Sequence, residues 1–479
     1  MASEAPARFA PLQVGQVVDA YRIEERLHQG GMANLWRVTR ADGTATEPLI
    51  MKVPRIKGGE DPASIVGFEV EQMIMPALGG LHVPKFIAKG DFTGQPYIVM
   101  EHIAGGSLRP RLDDAPIPLD EVVQIGAKVA TALHDLHRQH VIHLDVKPSN
   151  VLFRPTGEAV LIDFGLSRHD RLPDLLEEEF ELPMGTGPYM SPEQVQFVRN
   201  DPRSDLFALG VMLYHFSTGV RPFGAPTTVR GLRKRLYEQP VPPRTLRPET
   251  PPWLQELILR CLEVQPAKRP ASAAQLAFEL QHPEQVVLTE RAERQARKTG
   301  RFELFKRWFG AVGAEPVVAG GATTQTARAP ILLAALDVAG AEPGLLEAVR
   351  ETVERLLRTE PSARLACLTV MKTHLIGTDE LVEPDGSSKH LNLLVQLKHW
   401  AHPIVKALEA QGRGDAGRVT FHVLEAPDPA NAIVEYAAKN QVDHVVMGAR
   451  SSGGLRRYLG SVSAQVAAEA DCTVTVVRT

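Results

Sequence analysis

The segment that constrains this chain most runs from Val141 to Gly165. It holds Asp145, Lys147 and Asn150 in one short stretch, Val141-Ile142-His143-Leu144-Asp145-Val146-Lys147-Pro148-Ser149-Asn150. A predicted hairpin follows, Val151–Phe153 and Val160–Ile162, and delivers Asp163-Phe164-Gly165. Phosphoryl transfer asks three things of a protein: an acceptor for a hydroxyl proton, cations on the phosphates, and carboxylate or amide oxygens that hold Mg²⁺. All three residue types stand in this stretch. A fold that gathers them into one cleft is the expectation the flanking segments have to meet.

The flanks fit a two-lobed body. Up to about Pro118 the chain reads as short strands broken by Gly, with one helix opened by Asp61 as N-cap and Pro62 at its first position. From Asp120 to His140, Val122, Ile125, Val129, Leu133 and Leu136 recur at helical spacing, and helical patterns continue to about Leu280. The stretch Val141–Gly165 resembles the catalytic and metal loops of eukaryotic-type protein kinases of bacterial kind, and the resemblance covers Tyr21 to Leu280. It implies an α+β bilobal kinase fold, N-lobe about 21–103 and C-lobe about 104–280, after an N-terminal arm at 1–20.

Carried over position by position, the resemblance implies that Asp145 orients and deprotonates a substrate hydroxyl and that Lys147 neutralises the γ-phosphate. Lysine two residues after the catalytic Asp is the Ser/Thr pattern, so the implied activity is ATP-dependent phosphorylation of protein Ser and Thr hydroxyls. Asn150 and Asp163 would hold Mg²⁺ or Mn²⁺. Lys52 would clamp the α- and β-phosphates with Glu71 as its partner. ATP would lie against Leu27, Gly30, Gly31, Ala33, Leu35, Ile50, Lys52, Met100, Glu101, Ile103, Leu152 and Asp163. Gly185 to Glu193 resembles the substrate-docking segment, with Thr186 placed to bond Asp145 and Lys147, Asp205 to brace the catalytic loop, and Arg269 to pair with Glu193.

The pattern departs from the family in two places. In the phosphate loop, Leu27-His28-Gln29-Gly30-Gly31-Met32-Ala33-Asn34-Leu35, His28 and Ala33 replace two glycines, which predicts a looser ATP grip. Gly30 and Gly31 remain at the centre, where their N–H groups are expected to meet phosphate. Leu144 stands where most relatives have the Arg that pairs with a phosphorylated activation segment. Between Phe164 and Thr186 the only hydroxyl is Ser167, and Glu177, Glu178, Glu179 and Glu181 crowd the same segment. Activity without activation-segment phosphorylation follows as an expectation, with the acidic run docking on a basic patch or staying solvated. A pseudokinase or nucleotide-sensing scaffold is the alternative that the altered glycine loop suggests.

Residues 281–329 read as a basic and aromatic linker, partly helical, in which an Arg-rich run leads into Phe302–Phe309 and a flexible Gly/Ala/Thr stretch follows; for the aromatic cluster, an amphipathic helix on the chain's own lobe and one on a membrane surface are both open. From 330 to 479, short apolar strands (Ile331–Asp337, Leu365–Met371, Val419–Leu424, His444–Met447, Val474–Val477) alternate with helical stretches, the signature of an open parallel α/β sheet. This part resembles the universal stress protein family. The resemblance implies a second nucleotide site at Asp337, Gly448, Gly460 and Ser461, although Ser451 replaces a glycine of the motif, and homodimer pairing through Thr473–Arg478.

Composition bounds the rest. With 479 residues, 44% hydrophobic and 23% charged, the chain can bury more than one core. A net charge of −4 provides no field for nucleic acid. Cys261, Cys367 and Cys472 are far apart, which argues against disulfides or zinc and for a reducing, cytoplasmic setting. Met1 to Gln16 lacks the pattern of a secretory signal, and the longest apolar run, Ile331 to Leu336, is too short for a bilayer.

Overall fold

The computed structural model describes residues 12–30, 33–43, 48–55, 62–295, 329–373, 388–414, 416–449 and 461–478. Asp61, Gly31, Gly460, Ser451 and the Phe302–Phe309 cluster lie outside the described residues.

The first lobe is one antiparallel sheet. Strands β1 (Val17–Val18), β2 (Tyr21–Gln29), β3 (Ala33–Arg40), β4 (Leu49–Pro54), β5 (Phe86–Gly90) and β6 (Tyr97–Glu101) lie in the order β1-β2-β3-β4-β6-β5. Alternation in β2 and β3 sends Ile23, Trp36 and Val38 into one small core, while neighbouring polar residues face water. Helix α1 (Pro62–Ile74) begins at Pro62, whose missing N–H costs nothing in a first turn, and packs Ile65, Val66, Phe68 and Val70 inward.

The second lobe is helical. In α2 (Leu119–Arg138) the five predicted apolar positions, Val122, Ile125, Val129, Leu133 and Leu136, are all buried, each removal from water contributing about 1.5–3 kcal/mol. Strand β7 (Val141–Ile142) leads into the catalytic stretch. The hairpin β8 (Val151–Phe153) and β9 (Ala159–Leu161) pairs Leu152 with Val160 and presents Asp163 at its exit. The antiparallel partner of β7 is β10 (Arg168–His169). Helix α3 (Leu175–Glu179) is capped by Asp174, whose side chain accepts from the Glu177 N–H, and the helix Arg203–Thr218 forms the centre of the lobe.

The C-terminal domain is an open sheet with helices. Strands β11 (Ile331–Ala335), β12 (Arg364–Lys372), β13 (Val419–Ala426), β14 (His444–Gly448) and β15 (Thr473–Val477) lie in the order β13-β12-β11-β14-β15, every neighbour parallel. The apolar run Ile331 to Leu336 supplies the central strand, buried throughout, which is why it does not alternate. Among the described residues no helix is long and apolar enough to cross a membrane. The two domains touch: α3 packs on both α1 and β13. The acidic run is therefore divided. Glu178 and Glu179 have largely buried side chains against the C-terminal domain, while Glu177 and Glu181 are exposed.

Candidate active site

The catalytic stretch is held by buried donors and acceptors of the helical lobe. Asp205, fully buried, accepts from the His143 N–H (2.9 Å) and the Leu144 N–H (2.8 Å) and contacts His137 Nε2 (2.8 Å). That grip matters because Leu144 is left-handed (φ 61), a conformation that costs a non-glycine residue about 1–3 kcal/mol. Gln194 Nε2 donates to the Leu144 carbonyl at 2.8 Å, and the Leu144 side chain is buried. Leucine at this position thus fills core instead of reaching toward the activation segment.

Asp145 is nearly buried and its carboxylate is fully engaged. Oδ1 accepts from the Thr186 N–H (3.0 Å) and hydroxyl (2.6 Å); Oδ2 accepts from Lys147 Nζ (2.6 Å) and Asn150 Nδ2 (3.2 Å). Lys147 Nζ also donates to Thr186 Oγ1 at 2.9 Å. A carboxylate offers about four lone-pair sites, so an incoming hydroxyl has to displace one of these donors. Arg269 closes the frame from below, forking onto buried Glu193 at 2.6 and 2.7 Å.

Across the cleft, β4 aims Lys52 at α1 and at the exit of the β8–β9 hairpin. Its ammonium lies 2.5 Å from Glu71 Oε2 and 2.7 Å from Asp163 Oδ1. One cation thus serves two carboxylates. Burial opposes charge on Lys52, but Asp163 and Glu71 together raise it above its ordinary value. Lys52 pulls Asp163 below the usual carboxylate range, whereas burial pushes Glu71 up despite the same lysine. The difference follows the neighbours: Asp163 also has Lys147 and His143 near it, whereas Glu71 has the Asp163 carboxylate against it. Asp163 is also left-handed (φ 70), and the Phe164 N–H reaches Glu71 Oε1 at 3.4 Å.

The residues expected against ATP are spread over β2, β3, β4, β6 and β8, with Ile103 just beyond β6, Leu35 opposite Lys52 and Ile50 opposite Met100 in the sheet register. Ile50 and Met100 are buried in the large core. The Glu101 side chain is forked by Arg154 and accepts from the Lys85 N–H, and its own N–H donates to the Lys85 carbonyl at 2.9 Å, so neither of these groups is left for a ligand. The expectation for Gly30 needs correcting. Its N–H donates to the Ala33 carbonyl at 2.9 Å and its carbonyl accepts from Arg55 at 2.7 Å, so the group expected to meet phosphate is spent inside the turn. A Cβ at Gly30 would sit 3.0 Å from the Ala33 oxygen, a tight contact, and the residue does not have positive φ. Leu27 is a partly exposed bulge residue of β2.

In the C-terminal domain, Asp337, Gly448 and Ser461 line one cavity of about 740 Å³ at the carboxyl ends of β11, β12 and β14. It lies where the strand order reverses, between β11 and β14, the place where open α/β sheets bind ligands. Residues that sequence reasoning did not single out stand at the domain contact: Arg364, Lys398, Tyr436 and His422. The readable signal was His422, a ring in the middle of the apolar strand Val419-Thr420-Phe421-His422-Val423.

A cleft that gathers a carboxylate, two lysines and a carboxylate–amide pair in a bilobal body defines the protein kinase class. The chain belongs to the protein kinase family: the protein kinase domain matches residues 58–283, and the universal stress protein family matches 330–478. Its relatives are bacterial serine/threonine-protein kinases. Serine/threonine-protein kinase pkn3 of Myxococcus xanthus is 32% identical over 366 residues, 72% of this chain and 66% of that one. PknL of Mycobacterium bovis is 30% identical over 315 residues, 64% of this chain and 78% of the relative. A probable serine/threonine-protein kinase of Clostridium acetobutylicum is 28% identical over 269 residues, and the chain spans only 40% of its length.

Proposed function

We infer that this chain transfers the γ-phosphoryl group of ATP to Ser and Thr hydroxyls of proteins, in the cytoplasm of a bacterial cell. The observation that carries the reading is the convergence of Asp145, Lys147 and Thr186 with Lys52, Glu71 and Asp163 around one cleft. The substrate hydroxyl replaces Thr186 Oγ1 on Asp145 and gives up its proton there, while Lys147, two residues on, faces the transferring phosphoryl group. Lys52 moves its contact from Asp163 to the phosphates. Because the Gly30 N–H is spent within its turn, phosphate binding rests more on Lys52 than on the loop.

The family uses ATP with a divalent metal. Asp163 and Asn150 fit such an ion: a carboxylate and an amide oxygen are both hard donors. A site with so few protein oxygens suits Mg²⁺ or Mn²⁺, which keeps waters and takes the remainder from phosphates. When bound, the ion neutralises charge that gathers on the phosphates during transfer. The C-terminal cavity is read as an adenine-nucleotide site with Asp337 at its rim, and exposed edge strand β15 as a surface for pairing with a second copy.

The test is initial-rate phosphorylation of myelin basic protein with Mg-ATP, wild type against Asp145→Ala. Loss of the proton acceptor should lower kcat by about 10²–10⁴-fold with the fold intact. Equal rates for the two proteins would refute the reading in favour of a scaffold.

A further inference from the structure

The activation segment meets the C-terminal domain in a built socket. Arg364, at the first position of β12, forks onto Glu178 with Nη1–Oε1 at 2.6 Å and Nη2–Oε2 at 2.7 Å, and Tyr436 donates to the same carboxylate at 3.1 Å. Arg364 also donates to Thr420 Oγ1 at 2.8 Å, which fixes the fork. His422 Nδ1 lies 2.9 Å from Glu179 Oε1, and its ring is completely buried. Burial by itself would raise the Glu178 carboxyl, but the Arg364 fork, His422 and Tyr436 outweigh it and hold it below its ordinary value.

A second tie reaches α1. Lys398, on the helix Lys389–Ala410, pairs with Glu69 at 2.6 Å, both side chains nearly buried, and its ammonium also sits 4.5 Å above the Phe421 ring. Glu69 is two residues before Glu71 on the helix that must hold the Lys52 contact. Gly417 completes the seam: it is left-handed (φ +78), and a Cβ there would lie 2.6 Å from Pro173 Cδ. The C-terminal domain therefore touches the two kinase elements whose positions decide whether the cleft is assembled.

Within the kinase domain, the segment lacks the device that relatives use to order it. Leu144 offers no donor to a phosphate, and Ser167, the only hydroxyl between Phe164 and Thr186, is 1% exposed with its Oγ bonded to the His143 carbonyl at 3.0 Å. With the socket closed, Lys52–Glu71 and Thr186–Asp145 are both formed. The contact stops near Glu181. The stretch Gly185–Glu193 is held instead from inside the kinase, by Arg235 on the Gly187 and Met190 carbonyls.

We propose that the C-terminal domain is an activating clamp, whose Arg364–His422 socket and Lys398 grip the activation segment and α1 and keep the cleft assembled in place of a phosphate. This rests on the kinase reading above. The Glu178 carboxylate, forked by Arg364, acts as the permanent anion, and the socket is the cation site that other members build from their own catalytic loop.

The test uses the full chain, wild type against Arg364→Ala and Glu178→Gln, one variant on each side of the seam. Two readouts are taken: kcat on myelin basic protein with Mg-ATP, and deuterium uptake by Leu175–Glu179 and Pro62–Ile74. Both variants should lose about tenfold or more in kcat, because removing one partner of a buried ion pair leaves the other charge uncompensated and weakens docking. Both should also lose amide protection in those two helices. Retained activity, or a gain, in either variant would overturn the clamp. If the wild type itself fails to turn over, protection that is present and lost in Arg364→Ala keeps the clamp and sinks the phosphotransfer reading, whereas unchanged protection sinks the clamp.

Discussion

The catalytic loop and the first half of the activation segment are both strings of charge that must be held still, and the molecule holds them by opposite means. Asp145 takes all its partners from within the kinase domain, namely Lys147, Asn150 and Thr186, on a backbone pinned by Asp205. Glu178 and Glu179 take theirs from another domain, from Arg364, Tyr436 and His422. The first arrangement forms whenever the lobe folds. The second forms only while two domains stay docked, and that equilibrium can be shifted without unfolding anything. Chemistry is thus internal to one unit, and its upkeep is shared between two.

The comparison breaks most visibly at Arg269. It is buried, forks onto Glu193 and bonds the Arg203, Glu263 and Val264 carbonyls, all inside the kinase domain. Arg269→Ala leaves a buried carboxylate without its cation and should cost about 3–5 kcal/mol of stability. Urea denaturation of the full chain measures it, with the kinase transition moving and that of the C-terminal domain staying put. Loss of both transitions together would mean that the domains do not hold their charge independently.

At the seam the effect should be smaller and should depend on pH. Glu179 is pushed above its ordinary value, first by burial, with the His422 contact only partly offsetting it. Its Oε2 is buried without a hydrogen-bond partner among the described residues. The groups facing it are His422 and His390 of the C-terminal domain, Glu69 of α1 and Glu178 of its own helix. A raised carboxyl contributes docking stability that is complete below its undocked value, near 4.5, and is lost as pH rises through the docked value. Glu178, held low, does the reverse: its contribution is present above about 4.5 and is lost as pH falls through the docked value. Glu179→Gln should therefore dock at least as well as wild type at pH 7.5 and lose the weakening seen on the alkaline side. Amide exchange of Leu175–Glu179 against pH, corrected for intrinsic rates, reads it; a variant that undocks at pH 7.5 would contradict the assignment.

What could be read from the sequence follows the same division. Asp145, Lys147, Asn150 and Asp163 were legible because they are close in the chain and their residue types are dictated by the chemistry. Strand and helix order in the C-terminal domain was legible because buried parallel strands leave unbroken apolar runs such as Ile331–Leu336. The Gly30 N–H was misread, since a glycine-rich string indicates a tight turn but not which atom closes it. The socket was legible only in part, through the acidic run and the His422 ring. Four glutamates announced a need for cations, but Arg364 follows Glu178 by 186 residues. Nothing local distinguishes an arginine that opens a strand and grips another domain from one that faces water.

The smallest effect should come from the outermost charge pair of the seam, and its smallness is informative. Lys439 approaches Glu181 at 3.7 Å, with the glutamate side chain 84% exposed, so water screens the pair and both long side chains keep their freedom. Such pairs contribute about 0–1 kcal/mol. Lys439→Ala should leave kcat within about twofold of wild type and leave the protection of Leu175–Glu179 unchanged, at low and at high salt. The same measurements in Arg364→Ala should show the loss already described, although the two cations serve glutamates only three residues apart. If Lys439→Ala instead lowered activity as much as Arg364→Ala, the seam would work through its overall field, and the fork on Glu178 would not be what holds the segment.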